Sequence, residues 1–143
     1  MNSFQDMFRR LLRADGQSPK ARTVEIFGWL ILLEGGVILL APHLVVSILH
    51  LPALGPQAAN YFRLLGLLVG GVGMLYVVSG RLNAGGFVFA SLLDRPLVPP
   101  VMALLWYVNV VPGPLALVFS LQDFASFLWT LFTWRAEMRS GSR

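Results

Sequence analysis

Apolar residues in this chain gather into four long runs, at residues 24–41, at 60–79, from a start between 86 and 97 to 111, and at 115–134. Each run approaches or reaches the ~20 residues that a helix needs to cross a hydrocarbon core of ~30 Å. The pattern therefore predicts four transmembrane helices. Proline marks the breaks between them. Pro42 stops the first span, and Pro112-Gly113-Pro114 is so tight a connection that spans three and four must be antiparallel neighbours. Span three is irregular, because Pro96, Pro99 and Pro100 each lack an amide donor. It is either one long helix broken beside Asp94 and Arg95, or an interfacial piece over 86–93 followed by a short helix that starts near Pro96.

Two shorter segments carry a helical period without the length to span. In residues 3–14, Phe4, Met7, Phe8, Leu11 and Leu12 recur at helical spacing among Arg9, Arg10 and Arg13, and Ser3 with Asp6 is placed for a capping box. This predicts a basic amphipathic helix lying on an anionic leaflet. Residues 15–20 (DGQSPK) read as a linker. In residues 43–51, His43, Ser47 and His50 fall at i, i+4 and i+7, which predicts a short interfacial helix with one polar stripe. Residues 1–22 precede the first span and no small-x-small site closes it, so that span is expected to be retained rather than cleaved as a signal peptide.

Composition strengthens this picture. Hydrophobic residues make up 56% of the chain and charged residues only 13%, against ~25% charged in soluble domains, which leaves no room for a soluble domain beside the spans. The net charge of +4 comes from 11 Lys and Arg against 7 Asp and Glu. Arg9, Arg10, Arg13, Lys20 and Arg22 precede span one, Arg81 follows span two, and Arg135, Arg139 and Arg143 follow span four, while the other two loops carry no Lys or Arg. The positive-inside rule then places both termini of this multi-pass plasma-membrane protein in the cytoplasm. The excess positive charge serves topology and lipid-headgroup attraction rather than nucleic-acid binding. The expected architecture is an all-α membrane protein: an antiparallel four-transmembrane-helix bundle with an N-terminal amphipathic interfacial helix. Its parts are a cytoplasmic segment and linker (1–22), the transmembrane domain (23–134) and a cytoplasmic tail (135–143).

Ionisable residues inside the apolar runs are the candidates for function. Glu34, Arg63, Asp94, Arg95 and Asp123 lie within or at the edges of the spans, where each costs ~2.5–3.5 kcal/mol if unpaired. At ~1.5 Å of rise per residue, Arg95 and Asp123 reach similar depths, so the expected pairs are Arg95 with Asp123 and Arg63 with Glu34. Asp123, Ser126, Thr130 and Thr133 form one helical stripe that is expected to face inward. Gly66, Gly70 and Gly73 share a face with Arg63, and Gly35 and Gly36 offer a thin place on span one, so spans one and two should pack closely. The same glycine face also suits an oligomer contact. The absence of cysteine excludes disulfides, thiolate ligands and dithiol chemistry. His43 and His50 are the sole histidines and do not form an HxxxH pair, so neither a metal nor another cofactor is expected. Glu34 and Asp123 remain as candidate acids or bases, with Trp106 and Tyr107 as candidate aromatic neighbours.

The segment Tyr61-Phe62-Arg63-Leu64-Leu65-Gly66, followed by Gly73 and Tyr76, gives span two an FR-x-x-G opening. Ser91 through Arg95 brings an Arg to the start of span three, and Asp123 through Trp129-Thr130 supplies a D-x-x-x-x-x-W-T in span four. In order and spacing these stretches resemble small bacterial four-span proteins of the DoxX-like group, over roughly residues 26–134. The resemblance implies a four-helix membrane bundle, and the group takes its name from a subunit of a quinone-linked oxidoreductase. This chain departs from a redox role of its own by lacking cysteine and a haem-ligand pair. Two readings follow. The favoured one is a non-enzymatic bundle in the lipid bilayer that binds a partner membrane protein or a lipophilic small molecule of quinone or isoprenoid type. The alternative is a small membrane enzyme, isomerase-like or associated with an oxidoreductase, that moves a proton with Glu34 or Asp123.

Overall fold

The computed structural model describes residues 4–141, so the Ser3 part of the capping box and Arg143 lie outside the described residues. Helices α1 (Phe4–Arg13), α2 (Pro19–Leu40), α3 (Pro42–Ile48), α4 (Pro56–Arg81), α5 (Gly85–Asp94), α6 (Val98–Tyr107) and α7 (Gly113–Ser140) follow one another, with a 3₁₀ turn (Arg95–Leu97) between α5 and α6. Among the described residues there is no strand. Pro19–Leu40, Pro56–Arg81, Gly85–Tyr107 and Gly113–Ser140 are long and apolar enough to cross a bilayer. The protein is an all-α, multi-pass membrane bundle.

Local chemistry sets the helix ends, and several differ from expectation. The segment read as a linker contains the start of α2: Ser18 Oγ accepts from the Ala21 amide at 3.3 Å and Pro19 occupies the first turn, where its missing N–H costs nothing. Pro42 then opens α3 instead of extending α2. His50 falls outside α3, in the left-handed region at φ 52°, while the Leu51 amide closes back on Val46 O at 2.9 Å. The expected His43–Ser47–His50 stripe is therefore broken at its last member. Span three takes the long, interrupted form: Asp94, Arg95, Leu97 and Val98 all keep right-handed helical torsions through the 3₁₀ turn. It ends at Tyr107 rather than residue 111, because Asn109 turns left-handed and the Val110 amide bonds Leu105 O. At 28 residues, α7 is about 42 Å long and runs past residue 134, beyond what a bilayer core requires.

The bundle is organised around α2. Its contact with α4 is a seam of small residues spaced seven apart: Ala21, Gly28 and Gly35 on α2, and Ala59, Gly66, Gly73 and Gly80 on α4, all buried. A seven-residue repeat keeps one face in register between two supercoiled helices, and small side chains let the backbones meet. A Cβ at Gly28 would stand 2.6 Å from Val77 N and one at Gly80 2.7 Å from Glu25 N. The expected close packing of spans one and two is present with a different membership. Gly36 faces open space, whereas Gly70 stays in the contact through its backbone, which a Cβ on Gly35 would strike, although its own Cβ position is free to 3.9 Å; Gly28 and Gly80 complete the seam. Gly66 and Gly73, read as an oligomer face, are covered by α2 of the same chain.

Where both termini lie, α5 joins α2, α4 and α7, and a core of Ala21, Val24, Phe27, Tyr76 and Val88 forms. Tyr76 presents its ring edge-on to Phe27 and Phe87, with centroids 5.5 and 4.9 Å away. Toward the Pro112 end the packing thins: α6 lies chiefly on α7 and buries no residue. The long apolar side chains that remain outward, such as Leu64, Leu68, Leu104 and Leu121, suit hydrocarbon rather than water. Helix α1 also buries nothing. It is tied to the end of α4, where Arg81 Nη1 donates to Leu11 O at 3.1 Å, and it leaves Phe4, Phe8 and Leu12 exposed.

Candidate functional site around Arg95

Interruption of span three places a charge in the bundle's interior. Arg95 begins the 3₁₀ turn, about 15 Å along from Gly85 at ~1.5 Å per residue, and is only 1% exposed. Its guanidinium carbon stands 4.3 Å from the Phe27 ring centre and 5.1 Å from that of Tyr76, so two aromatic faces take the place of water around the cation. Nη1 donates to Ser126 O at 3.2 Å and to Thr130 Oγ1 at 3.0 Å. Thr130 Oγ1 lies 2.8 Å from Thr23 Oγ1, and Thr23 Oγ1 donates to Lys20 O at 2.7 Å. With its proton committed to Lys20 O, Thr23 must accept from Thr130. Hydrogen bonds therefore run in one direction from Arg95 through both hydroxyls to the first turn of α2.

The guanidinium is only half satisfied. By distance and angle, the enclosed Nε and Nη2 have no hydrogen-bond partner among the described residues, although the Tyr76 hydroxyl lies near enough to act on the guanidinium more strongly than either aspartate. These two nitrogens form the side edge of the guanidinium, whose parallel N–H groups suit an oxygen acceptor. The expected Arg95–Asp123 ion pair is not formed. Asp123 is half-buried one turn before Ser126, and its carboxylate accepts no hydrogen bond among the described residues, though its charge and that of exposed Asp94 reach the guanidinium through space. Ser126 and Thr130 do turn inward. Ser126 Oγ bonds back to Asp123 O and Thr133 Oγ1 to Trp129 O, the common use of such hydroxyls in helices.

The second expected pair is also absent, for a reason of register. With Gly35 and Gly66 in the seam, Arg63 projects to the exposed side of α4, where Nη1 donates to Asn60 Oδ1 at 3.3 Å. Glu34 turns toward α7 instead and accepts from Gln122 Nε2 at 3.0 Å. Trp106 and Tyr107 stand exposed at the far end of α6, Trp106 against Gly113, so neither joins Glu34 or Asp123.

Sequence reasoning missed a network where the termini meet. Glu25, 8% exposed, accepts from Arg81 Nε at 2.6 Å, Gln17 Nε2 at 2.7 Å and Trp29 Nε1 at 3.3 Å. Lys20 pairs with Glu137 at 2.8 Å and lies 5.1 Å from the centre of the Trp134 ring. The spacing of Gly28 with Ala21 and of Gly73 with Gly80 was the legible signal, since the Gly80–Glu25 contact brings Arg81 beside Glu25. Between α2 and α7 a crevice of about 260 Å³ is lined by Ile26, Leu30, Ala125 and Trp129, with Phe27 and Ser126 among its walls. The same two residues touch the Arg95 guanidinium on its other side. Compared with known protein families, curated proteins and solved structures, the chain matches none.

Proposed function

We propose that this protein is a membrane-embedded binder of a lipophilic small molecule, of quinone or isoprenoid type, whose oxygen is anchored by Arg95. The observation that carries the reading is the enclosed guanidinium with its Nε and Nη2 edge unpartnered. An unmet donor in low dielectric is costly, and an oxygen acceptor relieves that cost. The crevice between α2 and α7 offers an apolar berth for the body of such a molecule, with Phe27 as the partition to be moved before its oxygen meets the guanidinium. The resemblance to the DoxX-like group, named for a quinone-linked subunit, supports the same class of ligand. In this reading the protein resides in the bacterial inner membrane, both termini face the cytoplasm, and α1 lies on that leaflet.

The test uses protein in lipid nanodiscs with decylbenzoquinone as probe and decylbenzene as a matched hydrocarbon. Since the chain has no cysteine, no thiol is available to add to the quinone. The quinone should raise the thermal unfolding midpoint of the wild type and leave that of Arg95→Met unmoved, each measured against its own baseline, while decylbenzene does nothing. Equal shifts from both compounds, or a shift retained in Arg95→Met, would remove Arg95 as the anchor. A second reading, an enzyme that moves a proton with Asp123, is favoured by that half-buried carboxylate's lack of a hydrogen-bond partner. It requires chemical conversion of a bound lipophile that is lost in Asp123→Asn.

A further inference from the structure

At the opposite end of the bundle from both termini, α2, α3 and α7 enclose a separate crevice of about 240 Å³. Its walls include Val37, Ile38, Val45, Ile48 and Phe119, and Glu34 is its single polar lining residue. We propose that this crevice is a second binding site, independent of Arg95, for a compact lipophilic amine in its protonated form.

Charge complementarity carries the assignment. Gln122 Nε2 donates to Glu34 Oε2, and Oε1 receives no hydrogen bond among the described residues. Arg63, the cation that the sequence offered, is held by Asn60 on the other side of α4, and no ion pair joins Glu34 to a basic side chain among the described residues. Glu34 is thus a carboxyl set among apolar walls, and no basic side chain among the described residues pairs with it. An ammonium group fits because it brings both the opposite charge and N–H donors for Oε1, and charge-assisted bonds of this kind are the strong ones. A carboxylate or phosphate ligand would meet repulsion instead.

Depth narrows the class further. Gln122 lies about 14 Å along α7 from Gly113, well below the level of Leu115, which helps form the upper part of the crevice. A long-chain amine keeps its ammonium at the headgroups and its tail at depth, the reverse of what Glu34 requires. A compact cage-like amine has no tail to misplace, and its body meets the apolar walls while its nitrogen meets the carboxylate.

The experiment counts bound 1-adamantylamine by equilibrium dialysis of protein in nanodiscs against empty nanodiscs, with 1-adamantanol and dodecylamine as comparison probes. The wild type should bind the amine saturably, and Glu34→Gln, which keeps the shape and the bond to Gln122, should bind it at least about tenfold more weakly. Val118→Trp, which fills the crevice and leaves Glu34 in place, should weaken binding to a similar degree. Neither the alcohol nor dodecylamine should match 1-adamantylamine. Binding by Glu34→Gln within about twofold of wild type, or equal binding of amine and alcohol, overturns the proposal. Arg95→Met should bind the amine normally, so failure here and failure of the Arg95 reading are separate results.

Discussion

The seam between α2 and α4 makes a prediction whose size can be worked from distances. Gly66→Ala adds one methyl group at a close part of the contact, where a Cβ would stand 2.6 Å from Leu39 N, 2.8 Å from Gly35 O and 2.9 Å from Ile38 Cγ2. Two of those three atoms are backbone, which cannot rotate away as a side chain can. To restore 3.4 Å, where ordinary Cβ contact begins, the helices must separate by about 0.8 Å, and overpacking of this kind costs about 1–3 kcal/mol. Alanine also favours the helix over glycine by ~1 kcal/mol, which would mask part of the loss. Gly71→Ala on the same helix removes that ambiguity, because a Cβ there meets nothing within 4 Å. The propensity gain is common to both variants, so their difference isolates the clash. Unfolding by SDS titrated into dodecylmaltoside micelles, followed by tryptophan fluorescence, should therefore place Gly66→Ala about 1–3 kcal/mol below Gly71→Ala. If the two agree within about 0.5 kcal/mol, the seam is not the close backbone contact described here.

Two further outcomes are expected. Thr130→Val removes a buried hydroxyl that accepts from Arg95 and donates to Thr23; the thermal unfolding midpoint should fall by the equivalent of about 1–3 kcal/mol, with most of the loss recovered in Thr130→Ser. Cysteines introduced singly at Gly113 and Gly141, in a chain that otherwise has none, should report topology on intact cells: an impermeant maleimide should label only the first, and labelling of the second alone would invert the orientation.

Spans, helix type and antiparallel order were legible in the sequence, because crossing a bilayer demands an apolar run of a set length and leaves the backbone no partner but its own helix. Polar partners were not legible to the same degree. Depth arithmetic put Arg95 level with Asp123, and Arg63 and Glu34 both in the outer half or near the midplane, but depth leaves rotation about each helix axis undetermined, and rotation decides which side chains meet. The seven-residue seam settles that rotation for α2 and α4: with Gly35 and Gly66 in contact, Arg63 must project outward, Glu34 must turn toward Gln122, and Glu25 must meet Arg81. At Arg95 the sequence marked the residue and the proline-bound break beside it. The enclosure by Phe27 and Tyr76, the line of hydroxyls through Thr130 and Thr23, and the open Nε and Nη2 edge come from four segments distant in the chain. Hydrophobic length thus determined what spans the membrane, and close backbone packing, which depends on every small residue of the seam at once, decided which charges face one another and which are left open.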